Sequence, residues 1–261
     1  RNYIEGLFLS SGIIENEDWT MELLVNTLKI LRYEYGFDGY IHLKLIPGAS
    51  KELIEVACAL ASRVSSNIEL PSSKGLKLLA PQKTKNQLLE PLKQARDITL
   101  QKSSKPIPMS TQMIIGATRD SDFDILKTTS ILYDKALLKR VYYSAYIPVN
   151  EGKNLPILKN KMPPIQREHR LYQADWLLRF YGFSYTELFT KEIQHLDTEV
   201  DPKTFWALNN LHLFPVDVNK VSKEILIRIP GIGIRGALKI MQARRYKTLS
   251  IDDLKQLKIS I

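Results

Sequence analysis

The stretch "GYIHLKLIPGASKELIEVACALASRV", residues 39–64, decides the fold. Its first part is aromatic and aliphatic, with His42 and Lys44 set two residues apart. That pattern predicts a strand with both polar side chains on one face. Pro47 and Gly48 then turn the chain. Ser50 can cap a helix running through Val64, with Leu53, Ala57, Leu60 and Val64 on one stripe. Strand, short turn and helix in that order form the repeating unit of α/β folds.

The same alternation extends outward. β-Rich runs recur as "EGLFLSSGI" (5–13), "SNIELPS" (66–72), "TQMIIGAT" (111–118) and "RVYYSAYIPV" (140–149). Between them, Trp19 to Arg32 carries Leu24, Leu28 and Leu31 at helical spacing, behind acidic Glu15, Glu17 and Asp18. Another helix can start at Asp120 or Ser121 and run through Tyr133. The near-continuous apolar strands fit a parallel sheet with crossover helices. The expected fold is therefore α/β, with a partial parallel (β/α) barrel over 1–150. Each run ends in small or turn-forming residues: Ser10-Ser11-Gly12, Pro47-Gly48, Pro71-Ser72, Gly116-Ala117-Thr118 and Pro148. In parallel α/β folds ligands bind at the carboxyl ends of strands. Turn chemistry alone also accounts for these residues.

From Asn150 to Gln166 the chain is rich in Pro, Lys and Asn and is expected to leave the sheet as a loop. A helical extension over 151–216 follows. "REHRLYQADWLLRFYGF" (167–183) places Leu171, Ala174, Leu178 and Tyr181 at helical spacing over a buried Trp176 stripe, and Gly182 can stop it. Arg167, His169, Arg170 and Arg179 could face an anion; a solvated face over that stripe is the bland and favoured reading. "DPKTFWALNN" (201–210) starts another helix, with Pro202 in its first turn.

The 261 residues include 44% hydrophobic residues and carry a formal net charge of +9. Residues 217–261 hold ten Lys/Arg against four Asp/Glu, and the first 216 hold 27 against 24. The basic excess sits in the tail, and a polyanionic partner suits it. There is one cysteine, Cys58, which excludes a disulfide framework and an all-cysteine metal site within this chain. No apolar run is long enough to span a bilayer and no signal peptide is visible, so no membrane partner and a cytoplasmic location are expected. The N-terminus enters a strand almost at once and reads as a chain cut into.

The tail contains "RIPGIGIRGALKI" (228–240). It predicts a helix carrying Val221, Ile225 and Leu226, a turn at Pro230-Gly231-Ile232-Gly233, and a helix carrying Ala237, Ile240 and Met241. A short third helix completes the domain at 217–261. Ile232 can plug the space between the helices. Gly231 and Gly233 permit positive φ and bare backbone N–H groups, at a helix start that favours an anion. Arg235, Lys239, Arg244 and Arg245 flank that end. This pattern resembles the helix-hairpin-helix family of sequence-independent DNA-binding modules. The resemblance implies contacts to the DNA phosphate backbone by Gly231, Ile232, Gly233, Arg235 and Lys239. A hairpin that only packs helices or recruits a protein is the alternative.

The stretches "NYIEGLFLSSGI", "GYIHLKLIPGAS", "NIELPSSKGLKLLAP", "STQMIIGAT", "KRVYYSAYIPV", "REHRLYQADWLLRFYGF" and "FPVDVN" resemble, in order, radical S-adenosylmethionine (SAM) proteins. The match is closest to the group described as DNA modification/repair radical SAM proteins, which join such a barrel to a helix-hairpin-helix. The resemblance implies a SAM site in which Ser10, Ser11 and Gly12 meet the methionine end. The family's usual two glycines and a glutamate are replaced there by serines. It also implies that Glu69 lies near the ribose or amino group, that Gly116 packs by the adenine, and that Tyr146 offers backbone to it. His42 and Lys44 can line the same cavity.

The family also uses a [4Fe–4S] cluster on three cysteines, C-x₃-C-x₂-C, fed by an electron donor. Only Cys58 is present here. The expectation is an enzyme acting on DNA or nucleotides, with SAM and the cluster in the full-length protein and no cluster on this chain. The cysteine motif lies upstream of the family's matching strand, so truncation is expected, with natural loss as the alternative. A non-catalytic DNA-binding protein on a degenerate barrel scaffold is the competing function. An acid–base barrel enzyme using Glu69 and His42 is a third.

Overall fold

The computed structural model describes residues 4–102, 107–149 and 164–260. In chain order the elements are β1 (Gly6–Leu9), α1 (Glu17–Lys29), β2 (Tyr40–Lys44), α2 (Lys51–Leu60), β3 (Arg63–Ser65), α3 (Ser73–Leu79), α4 (Lys85–Lys102), β4 (Met109–Ile115), α5 (Asp122–Ala136) and β5 (Arg140–Ala145). There follow α6 (Ile165–Phe180), α7 (Pro202–Leu208), α8 (Lys223–Leu226), α9 (Ile234–Ala243) and α10 (Ile251–Gln256). The described residues fall into two compact units. One is drawn from Arg1–Asp120 and Thr128–Pro164, the other from Ser121–Lys127 and Ile165–Ile261.

The first unit is α/β. Its five strands lie in the order β1-β2-β3-β4-β5 and every neighbouring pair is parallel. Sequential parallel order is that of β/α barrels, whereas doubly wound sheets reverse direction part-way. The sheet curls into a half barrel. Parallel neighbours need crossovers, and these are helical: α1 lies beside α2, and α2 beside α4.

One sheet face is apolar and sealed. Ile41, Leu43, Val64, Met113, Ile115 and Val141 have no exposed surface, and each such burial stabilises by roughly 1.5–3 kcal/mol. Arg32 locks the crossover from α1 into β2. Its guanidinium donates to the carbonyls of Leu60 (3.0 Å), Gly39 (2.9 Å) and Phe37, and to Ser62 Oγ (3.3 Å).

Several local expectations are corrected. α2 stops at Leu60, where Ala61 is already extended (ψ 154°). Val64 therefore belongs to β3, because its side chain is needed on the sealed sheet face. "SNIELPS" is not a strand; beyond Ser65 only Glu69 returns to the sheet, as a bridge to Met113. α4 forms despite its interior Pro91 and was not anticipated. The expected loop over 150–166 lies mostly outside the described residues.

The second unit is helical. Asp122 is fully buried and accepts from Arg167 Nε (2.6 Å) and from the Leu196 amide (2.9 Å). Trp176, expected to be buried, is 49% exposed. It packs tilted against Phe180 (centroids 4.4 Å apart, planes at 50°), with Arg179 over both rings, while Leu171, Ala174 and Leu177 face inward instead. The chain end forms its own core from Leu226, Ile232, Ala237, Ile240, Leu249 and Leu254, among others. Arg228 joins this core to the preceding helices. It stacks on Phe183 (4.2 Å) and pairs with Glu187 (2.6 Å).

Replacing Asp122 by Ala breaks its buried pair with Arg167 and removes the acceptor of the Leu196 amide. The expected loss, read by urea unfolding, is about 3–5 kcal/mol.

Candidate functional site

A cavity of about 540 Å³ opens at the carboxyl ends of β1, β2 and β3. Its size is that of an ordinary small-molecule site. Ser11 and Gly12 enter it from the loop after β1, Lys44 from the last position of β2, and Glu69 from the loop after β3. Glu17, from the first turn of α1, and Lys83, from the loop before α4, complete the charged lining. The cavity thus opposes two carboxylates to two ammonium groups. Lys83 Nζ lies 3.3 Å from Glu69 Oε1.

Glu69 is held unusually. Its φ is +62°, the left-handed region that costs a non-glycine residue about 1–2 kcal/mol. The Ile114 amide donates to the Glu69 carbonyl at 2.7 Å, which fixes that backbone against β4. The backbone thus sets the direction in which the side chain leaves the chain, and Lys83 holds the carboxylate at its end.

The other candidates lie elsewhere. Ser10 follows β1 and is exposed but does not line the cavity; neither do Gly116, Tyr146 and His42. Gly116 has φ +87°, and an added Cβ would lie 2.6 Å from Pro164 Cγ, so the backbone alone explains its glycine. Tyr146 packs beside Leu70, Leu76, Leu88 and Ala117, and its amide donates to the Ile115 carbonyl. His42 shares the polar sheet face with Lys44 but bonds Ser65 Oγ through Nε2 (2.8 Å). Burial, assisted by Arg63, lowers its pKa to about 4, so it is neutral at pH 7. Glu17 and Lys83 were missed by sequence reading, because nothing in their spacing links them to the strand ends.

Cys58 lies in α2, where burial and Glu55 push its thiol up to about 12. A protonated thiol is a poor metal ligand. Among the described residues no three His, Cys, Asp or Glu group to hold a metal, and no helix is long and apolar enough to cross a membrane.

The second candidate site is the turn before α9. Gly231 has φ +82°, and a Cβ there would lie 2.2 Å from the Ser260 carbonyl oxygen. Gly233 differs from expectation. Its φ is −87° and it begins α9 with no side-chain cap; an added Cβ would meet only Tyr181 Oη, at 3.4 Å. Ile232 is buried between the helices, 1% exposed, and its carbonyl accepts from Lys203 Nζ at 2.6 Å. Burial lowers the Lys203 pKa to about 8.

The basic residues of this tail divide. Arg235 is exposed on the first turn of α9. Lys239 reaches the Leu257 carbonyl (2.8 Å), and Arg244 is tied to the carbonyls of Val218 (2.9 Å) and Val221 (2.6 Å). Arg244 is thus a strut, not an anion contact.

The depressed His42 pKa makes a pH prediction. The unfolded chain takes up this proton near pH 6.5, whereas the folded one resists until about 4. Stability from this residue is full above pH 6.5 and declines as the pH falls toward 4. His42→Gln should flatten that part of the urea-denaturation pH profile; an unchanged difference between pH 7 and pH 4.5 would contradict it.

No protein-family model and no curated protein matches this chain.

Proposed function

We propose that this chain holds the SAM and the DNA of a radical SAM enzyme that acts on DNA or nucleotides. The cavity at the strand ends carries the reading. SAM is a nucleoside with an amino-acid end, so it brings both charges, and the lining offers both in turn. Lys44 suits the carboxylate, Glu69 suits the amino group or the ribose hydroxyls, and Gly12 lets the chain approach the methionine end closely. Bound there, SAM supplies a sulfonium whose carbon bonds are the reactive ones. The chain's own part is to bind, orient and shield it.

The [4Fe–4S] cluster does not fit these 261 residues. The cluster needs several thiolates, and the one cysteine is protonated inside a helix. In this reading the cluster and its electron donor stand outside these residues.

The DNA part of the reading is a helix-hairpin-helix formed by α8, the glycine turn and α9. Its support is the uncapped start of α9 with Arg235 exposed beside it. Free N–H groups and the helix dipole at such an end favour a phosphate. The contact is to backbone rather than bases, so affinity should depend on salt and little on sequence. Ile232 serves by packing, and Lys239 from a position partly engaged by Leu257.

The missing cysteines favour one second reading, a DNA-binding protein whose barrel is only a scaffold. Calorimetric titration with SAM separates the two. The first expects saturable binding, weakened about tenfold by Glu69→Gln or Lys44→Ala, the scale of a lost charge-assisted hydrogen bond. No binding, with duplex binding retained, would leave the scaffold.

Duplex binding has its own test. Gly233→Ala should fold normally, because its Cβ meets no backbone. It should weaken binding of a mixed-sequence duplex about fivefold or more by crowding the phosphate. Unchanged affinity, or an affinity indifferent to salt, would remove the phosphate reading.

A further inference from the structure

Lys203 has no part in the function proposed above, yet it reaches the glycine turn. It follows Pro202 in the first turn of α7, a helix capped by Asp201. It is half-buried, and its Nζ donates to the Ile232 carbonyl at 2.6 Å. The Tyr181 ring lies over the ammonium, 5.1 Å from Nζ to the ring centroid. A long charged side chain normally keeps its head in water. Drawing this one inward costs ordering and desolvation that simple packing would not need.

Its acceptor is one half of a peptide group whose other half is the Gly233 N–H. That peptide is trans; the cis bond among the described residues is Phe214–Pro215. In a planar trans peptide the C=O and the N–H point in opposite directions. With the carbonyl held toward Lys203, the Gly233 N–H is turned away from it. This N–H makes no hydrogen bond among the described residues. It stands at the head of α9, a ten-residue helix without a side-chain cap. The left-handed Gly231 (φ +82°) brings the chain into this peptide, and Lys203 fixes its plane. A cation on the carbonyl also polarises the group and strengthens the N–H as a donor.

We infer that Lys203 is a positioning residue of the DNA contact: through the Ile232–Gly233 peptide it aims and strengthens the N–H that meets the phosphate. The inference rests on the DNA reading above and deepens it by making that contact depend on pH. Burial holds the Lys203 pKa at about 8. Among the described residues, two titratable groups face it. Asp201, on the same helix, favours the charged form, and Tyr181, just after α6, presents its ring face. The hairpin presents the Ile232 carbonyl. Below pH 8 the ammonium is charged and the peptide is held. As the pH rises through 8 the proton leaves, and a neutral amine makes a hydrogen bond roughly half as strong. Bound duplex must in turn raise the same pKa.

The test is fluorescence anisotropy of a mixed-sequence duplex with the whole 261-residue chain, at pH 7, 8 and 9 and over a range of salt. The parent should lose affinity about threefold from pH 7 to pH 9. Lys203→Met should bind about fivefold more weakly at pH 7 and stay level to pH 9. Its salt slope should match the parent's, because Lys203 acts through the peptide and not on a phosphate. Lys203→Arg should keep most of the affinity and hold it to pH 9, since a guanidinium stays charged. Should Lys203→Met not fold, the parent and Lys203→Arg profiles decide. A level profile in the parent, an unchanged affinity in Lys203→Met, or a fall with pH that Lys203→Arg shares overturns the inference. A slope about one unit shallower in Lys203→Met makes Lys203 a direct phosphate contact and overturns the positioning role. The DNA reading fails differently. No salt-dependent duplex binding by the parent at pH 7 removes both, whereas such binding with a level pH profile removes the inference alone.

Discussion

Everything in the first unit depends on strand register. A parallel sheet cannot be closed by tight turns, so each strand waits for a helix to return the chain, and those helices must cover something. Register decides what. It turns Ile41, Leu43, Val64, Met113, Ile115 and Val141 toward one side, where helices seal them. The same alternation turns Phe8, His42, Lys44, Ser110 and Arg140 the other way. A slip of one residue in any strand would exchange the two sets, burying cations and exposing the core. Fold and chemistry are thus written by one constraint.

The helical unit is organised differently, by charges set among apolar groups. Asp122 gathers Arg167 and a backbone amide; Arg228 lies between aromatic rings and Glu187. Such anchors fix a geometry more than they add stability, because desolvating the ions costs much of what pairing returns. They suit a region of short helices, α8 of only four residues, where propensity alone would not hold the turn at Gly231 in place.

Much of this was legible in the sequence, for identifiable reasons. The β-rich runs of β1, β2, β4 and β5 stood out, and Ser50 does open α2 as its N-cap residue, although its side chain makes no capping hydrogen bond. What failed had physical causes. Val64 continues the stripe of Leu53, Ala57 and Leu60, so periodicity carried the helix into β3. That error hid Arg63, which cannot be assigned to a sheet face while it is read as helical. α4 is polar and interrupted by Pro91, and its core residues Leu88, Leu92 and Ala95 are too sparse to announce it. Gly231 needs its left-handed backbone, but Gly233 does not; two glycines in one motif have two different reasons. The cavity was placed by strand ends alone, and its second carboxylate and second lysine come from outside those ends.

The left-handed backbone at Glu69 has a consequence beyond geometry. A carboxylate on a flexible loop must lose motion when a ligand arrives, and that ordering is subtracted from affinity. At Glu69 the backbone part of that ordering was completed when the chain folded, at the expense of overall stability. Glycine at this position would relieve the backbone strain but remove the carboxylate with it. The residue is thus a small loan from the stability of the barrel to the occupancy of its cavity, and variants there should trade melting temperature against ligand affinity in opposite directions.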